Sequence, residues 1–119
     1  MSELTVLGRD TWEEFLRSPL AVLVLAKTDC EHCAKWSSEL TEFLAADESW
    51  PGVRFGKLYL DQPGLFAFKK AHPWIAEVDV LPFTAIFKAG ERVKTFAGGG
   101  IDRLTARLSG ILGASSTDA

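Results

Sequence analysis

The run Pro19–Ala26, PLAVLVLA, is the most apolar in the chain. It is far too short to cross a bilayer, which takes about 20 apolar residues in a helix. A strand sends successive side chains to opposite faces, so a strand with no polar face must be covered on both. Such a strand belongs inside a sheet that has helices on either side. The chain has 119 residues, 47% hydrophobic and 24% charged, which is enough apolar material for one domain of that kind.

The remaining segments supply the layers. LTVLG, residues 4–8, reads as a short first strand. Residues 9–18 read as a helix with Asp10 as N-cap and Glu13 three residues on. From Cys30 to Ala46, Cys33, Trp36, Leu40 and Phe43 or Leu44 recur at helical spacing, while Lys35, Glu39 and Glu42 fall on the other side. VRFGKLYLD, residues 53–61, alternates as a strand does. Residues 62–80 read as a helical region that Pro73 interrupts. FTAIFKA and RVKTFAG flank a turn at Gly90 and read as a hairpin. Residues 101–113 close the chain as a helix with Leu104, Leu108 and Ile111 or Leu112 inward. The order β-α-β-α-β-α-β-β-α predicts parallel early strands and an antiparallel final hairpin. The domain is expected to span 1–112, with 113–119 a flexible tail.

The two cysteines of the chain lie together in TDCEHCAKW, residues 28–36. The N-terminal segment MSELTVLGRD has no charged stretch followed by a long apolar one, so a cytoplasmic location is expected. Disulfides are rarely structural there, and a lone pair points to catalysis, to metal or to chance. Zinc in a structural site takes four protein ligands, and the chain has two cysteines and two histidines in all. The pair follows a strand and opens a helix. Unpaired N–H groups and a partial positive charge at that end favour a thiolate. Cys30, at the first turn, is expected to be the exposed nucleophile. Cys33, on the apolar face, is expected to be buried and to resolve the mixed disulfide.

This arrangement resembles the thioredoxin family, for which CxxC beside a βαβ pattern is a known signature. The likeness extends over about residues 3–112. LPFTAIFKAGERVKTFAGG is similar to the family's segment of cis-proline, hairpin and glycine. The resemblance implies a thioredoxin fold: an α/β domain with a mixed five-stranded sheet and helices on both faces. It implies a cis bond before Pro82, a substrate-binding edge at Leu81 and Pro82, and a groove glycine at Gly98. It places Lys57 where the family has a lysine beneath the active site. His32, Glu31 and Asp29 are then the groups that tune the thiolate. The histidine before the second cysteine is similar to the CGHC of protein disulfide isomerase.

The sequence also departs from the family. Val24 stands where a buried aspartate often lies, six residues before the first cysteine. Ser38 stands in place of a helix-bending proline, and Asp29 in place of a tryptophan. The resemblance implies a thiol–disulfide oxidoreductase that exchanges Cys30–Cys33 with protein disulfides and with a thiol reductant or oxidant, without cofactor or metal. The alternative is an interaction module in which the pair acts as a redox switch. A net charge of −3 and a pI near 5.3 argue against nucleic acid or an anionic membrane as partner. The chain is expected to act as a monomer. His72, beside Pro73, reads as a surface or loop residue rather than a ligand, and the four tryptophans as packing.

Overall fold

A computed structural model describes residues 3–46, 50 and 52–117, the side chains of 113–117 excepted. The apolar run forms β2, Leu20–Ala26, and all seven of its residues are buried. On one side β2 pairs in parallel with β3, Arg54–Tyr59. On the other it pairs antiparallel with β4, Phe83–Lys88. β1, Leu4–Leu7, lies parallel to β3, and β5, Glu91–Ala97, lies antiparallel to β4. The five-stranded order is β1-β3-β2-β4-β5, mixed as the pattern predicts.

The alternation of side chains along β2 makes two cores. Leu23 and Leu25 pack with Phe15, Phe68 and Phe87 on one face. Val22 and Val24 pack with Trp36, Leu40, Leu104 and Leu108 on the other. The first face is covered by α1, Trp12–Leu16, and α3, Phe66–Ala71. The second is covered by α2, Glu31–Ala46, and α4, Ile101–Thr117. The α4 backbone continues beyond Leu112, where the domain was expected to end. Residues 118–119 of the expected tail lie outside the described residues. Among the described residues, no helix is long and apolar enough to cross a membrane.

Two local features differ from expectation. α1 starts at Trp12, and Asp10 is not its N-cap; it pairs with Arg9 at 3.3 Å on the surface. Thr11 holds the helix start instead. Its Oγ1 accepts from the Gly8 N–H at 2.8 Å, and the Gly8 carbonyl accepts from the Thr11 and Trp12 N–H groups. The Gly8–Thr11 turn therefore wins over the capping box. The hairpin turn is Ala89–Gly90, both at positive φ, and Glu91 already belongs to β5. As expected, Pro73 interrupts the helical region: α3 stops before it and the chain restarts as a 3-10 turn over Pro73–Glu77.

His72 lies in that connection, a loop residue as expected, but it is not at the surface. Its ring is half-buried among Trp12, Phe68, Trp74 and Phe87, with centroids 5.1–6.2 Å away. Burial first, and Arg92 second, hold its pKa below the usual 6.5. The unfolded chain takes up a proton near pH 6.5 that the folded chain refuses. Stability is therefore full above 6.5 and falls as the pH drops through that value towards the lower folded pKa. Urea denaturation between pH 8 and pH 5 should show this loss. His72→Phe should keep the aromatic contacts and weaken the pH dependence in that range; an undiminished slope would remove His72 as its source.

Candidate active site

Three segments converge at the carboxyl end of β2. The first is the loop from β2 to α2. Asp29 has φ 57, a left-handed conformation that aspartate tolerates better than most residues. Thr28 ties this loop to the turn after β3. Its N–H reaches the two Asp61 carboxylate oxygens at 3.3 and 3.2 Å, and its hydroxyl donates to Asp61 Oδ2. That hydroxyl contact is the largest cause holding the Asp61 carboxyl below its ordinary pKa.

Cys30 takes the N-cap position of α2. Its carbonyl accepts the first helical bond, from the Ala34 N–H at 3.0 Å. Its Sγ accepts from the Cys33 N–H at 3.2 Å, as an N-cap side chain does. Cys30 and Cys33 form a disulfide with Cα atoms 5.2 Å apart. Cys30 is half-buried, and Cys33 is only 2% exposed.

The second segment is the approach to β4. The Leu81–Pro82 peptide is cis. The Leu81 carbonyl oxygen lies 3.9 Å from Cys30 Sγ. The third is the glycine loop after β5. The Gly98 N–H donates to the Pro82 carbonyl at 2.7 Å, with Gly98 at φ 79. A Cβ on Gly99 would collide with the Trp36 indole, so only glycine fits that close approach.

A buried polar chain joins these segments. The Trp36 indole N–H donates to Thr84 Oγ1 at 3.2 Å, and the Thr84 hydroxyl donates to the Gly98 carbonyl at 3.1 Å. Thr84 is fully buried and pairs with Val24 in the sheet. Neither Trp36 nor Thr84 was expected to serve the site. A single polar residue in the apolar stretch LPFTAIF was the available signal.

The disulfide separates two cavities. One, about 350 Å³, is a groove between α2 and Leu81–Pro82, lined also by His32, Lys35 and Gly98. The other, about 560 Å³, lies behind the pair and is lined by Asp29, Glu31, Ser37 and Tyr59. The expected site residues thus gather around the disulfide with one exception. Lys57 pairs with Val24 in the sheet, but its Nζ lies over the Tyr59 ring, 4.9 Å from the centroid. Tyr59, which the sequence reading passed over, forms the wall on that side. Among the described residues, no group of three or more histidine, cysteine, aspartate or glutamate side chains is placed to hold a metal ion.

A scan against protein-family models finds no match. A search of curated proteins by sequence finds none either. Solved structures do match. Thioredoxin f from spinach chloroplast, in its long form, has a TM-score of 0.73 at 22% identity, covering 91% of this chain and 85% of its own. Thioredoxin O2 from Arabidopsis thaliana in the oxidised state has a TM-score of 0.70 at 21% identity, covering 91% and 93%. A complex of ferredoxin:thioredoxin reductase with thioredoxin f2 matches at 0.71 and 20% identity, covering 92% and 94%. The chain therefore has the thioredoxin fold. At these identities the likeness is one of fold.

The Thr84 hydroxyl carries a direct prediction. Thr84→Val leaves the Trp36 N–H and the Gly98 carbonyl without their partner, and should cost about 2–4 kcal/mol. Thr84→Ser keeps the hydroxyl and loses one methyl group, for about 1 kcal/mol. Urea denaturation measures both; a valine variant as stable as the serine variant would show that the relay is not needed.

Proposed function

We propose that this chain is a thiol–disulfide oxidoreductase that exchanges the Cys30–Cys33 pair with disulfides of protein substrates. The observation that carries the reading is the disulfide itself. It lies at the start of α2, with one sulfur half-exposed, the other buried, and an unusual proline edge beside it. In the reduced chain, the Cys30 thiolate attacks a substrate disulfide. A Cys30–substrate bond forms, the substrate S–S bond breaks, and the leaving sulfur takes a proton from water. Cys33 then attacks Cys30 Sγ, closes the disulfide and releases the second substrate thiol. The substrate is reduced and the pair is oxidised. An external thiol reductant restores the pair, and the same steps run backwards with an oxidant.

Each surrounding group has a role in this reading. The Cys33 N–H and the α2 N-terminus favour the Cys30 thiolate. Leu81 offers backbone hydrogen bonds to an extended substrate, with Pro82 and Gly98 forming the floor of the groove. His32 supports the thiolate, Asp29 and Glu31 oppose it, and Lys57 acts at longer range through the wall at Tyr59. The solved complex of thioredoxin f2 with ferredoxin:thioredoxin reductase makes a reductase protein a reasonable regenerating partner here. One observation favours the interaction-module reading instead: Val24, where the resemblance implies a carboxylate that assists turnover, is an aliphatic core residue.

Insulin reduction separates the two. The chain should accelerate insulin precipitation by dithiothreitol, and Cys30→Ser should return the rate to that of dithiothreitol alone. A wild-type rate no faster than the reagent would sink the enzyme reading and leave the interaction module. Limited alkylation of the reduced chain near neutral pH should label Cys30 first, and preference for Cys33 would reverse the assignment.

A further inference from the structure

Ser37 follows Cys33 by four residues on α2, so the two side chains share a helix face. Both line the cavity behind the disulfide. The Ser37 Oγ is closed off from solvent and, among the described residues, has no hydrogen-bond partner. A buried hydroxyl without a partner is costly, and such orphans call for an explanation. A helical serine often satisfies itself on the carbonyl four residues back, here that of Cys33, but Ser37 does not.

The site has a matching need. When the pair is reduced, Cys33 must become a thiolate to resolve the mixed disulfide. Cys33 is 2% exposed, and burial disfavours its charged form. Val24, at the position where the resemblance implies a buried aspartate, is fully buried and aliphatic. The Thr84 hydroxyl is already given to Gly98. We propose that the Ser37 hydroxyl is the donor that supports the Cys33 thiolate. The inference rests on the oxidoreductase reading and assigns the group that makes its second step possible. In that step Cys33 passes its proton to solvent at the cavity mouth. Its lone pair forms the bond to Cys30 Sγ, the Cys30–substrate bond breaks, and the departing sulfur is protonated by water. In the disulfide no thiolate exists, and the hydroxyl is left idle.

Other charges face this cavity. Lys27 and Tyr59 line it, with Lys57 Nζ over the Tyr59 ring, while Asp29 and Glu31 stand at its mouth. His32, Lys35 and Glu39 of α2 face the opposite groove. Arg103 of α4 is held by the Gly99 carbonyl at 3.3 Å.

The test uses 5-thio-2-nitrobenzoate bound to Cys30 as a mixed disulfide, with its release by Cys33 followed in stopped flow across a range of pH. Losing a donor to the thiolate should move the midpoint of the Ser37→Ala rate profile up by about one pH unit. The thiolate fraction near neutral pH then falls about tenfold, while a more basic thiolate attacks about threefold faster (Brønsted slope about 0.4–0.5). Release from Ser37→Ala should therefore be about threefold slower near neutral pH and about threefold faster above both midpoints. The two profiles cross, which a merely structural effect would not produce. Ser37→Thr, which keeps the hydroxyl, should restore the wild-type profile. An unmoved midpoint, or equal slowing at every pH, would overturn the inference while leaving the oxidoreductase reading intact. Failure of the wild-type chain to form the Cys30 adduct would overturn that reading, and this inference with it.

Discussion

The hydroxyl of Thr84 is where the layers of this fold meet. It accepts from Trp36 on α2 and donates to Gly98 in the loop after β5, while its own backbone lies in β4 beside Val24 of the central strand. A hydroxyl is one of the few side-chain groups that can accept and donate at once. An apolar residue of similar shape would leave both neighbours unpaired in the interior. Trp36 lies one turn beyond Cys33, and Gly98 is bonded to Pro82. The relay therefore sets the distance between the disulfide and the Leu81–Pro82 edge. The indole also closes off space at Gly99, which leaves room for no side chain there. Helix, proline edge and glycine loop are thus held as one unit by a single buried oxygen.

Much of this architecture is legible in the chain. β2 declares itself because a fully apolar strand has one place to go, and α2 because its apolar residues recur at helical spacing. Cys30 and Cys33 are legible because a spacing of two at a helix start has chemical meaning. The LPF segment is legible through resemblance. What escapes reading depends on contacts between distant residues. Thr84 and Trp36 are 48 positions apart, and neither alone announces a hydrogen bond. Ser37 reads as an ordinary polar helix residue until the cavity beside it is seen. Asp10 and Glu13 have the spacing of a capping box, but the helix starts two residues later, behind a Gly8–Thr11 turn that satisfies the Gly8, Thr11 and Trp12 N–H groups instead. His72 reads as a loop residue because Pro73 breaks the helix there; the break folds its ring back under the sheet among aromatic neighbours.

The charges of the CEHC segment fall on opposite sides of the disulfide, and magnitudes decide how far each counts. Asp29, Glu31 and His32 are all exposed. Two unit charges 4 Å apart in bulk water interact by about 1 kcal/mol, and salt screens them further. The Cys33 N–H donates directly to Cys30 Sγ at 3.2 Å. A hydrogen bond to a charged group contributes about 1.5–3 kcal/mol. The α2 N-terminus adds its own partial positive charge. On the proposed function, the backbone at the helix start therefore outweighs the side chains between the cysteines, which only trim a preference already set. Cys33 is governed differently. Water does not surround it, so burial sets the cost of its charge, and one polar atom in the cavity counts for more than the exposed charges outside. The two halves of the exchange are then tuned by different parts of the fold: attack by the start of α2, and resolution by whatever lines the space behind it. The residues between the cysteines accordingly bear mainly on the first half.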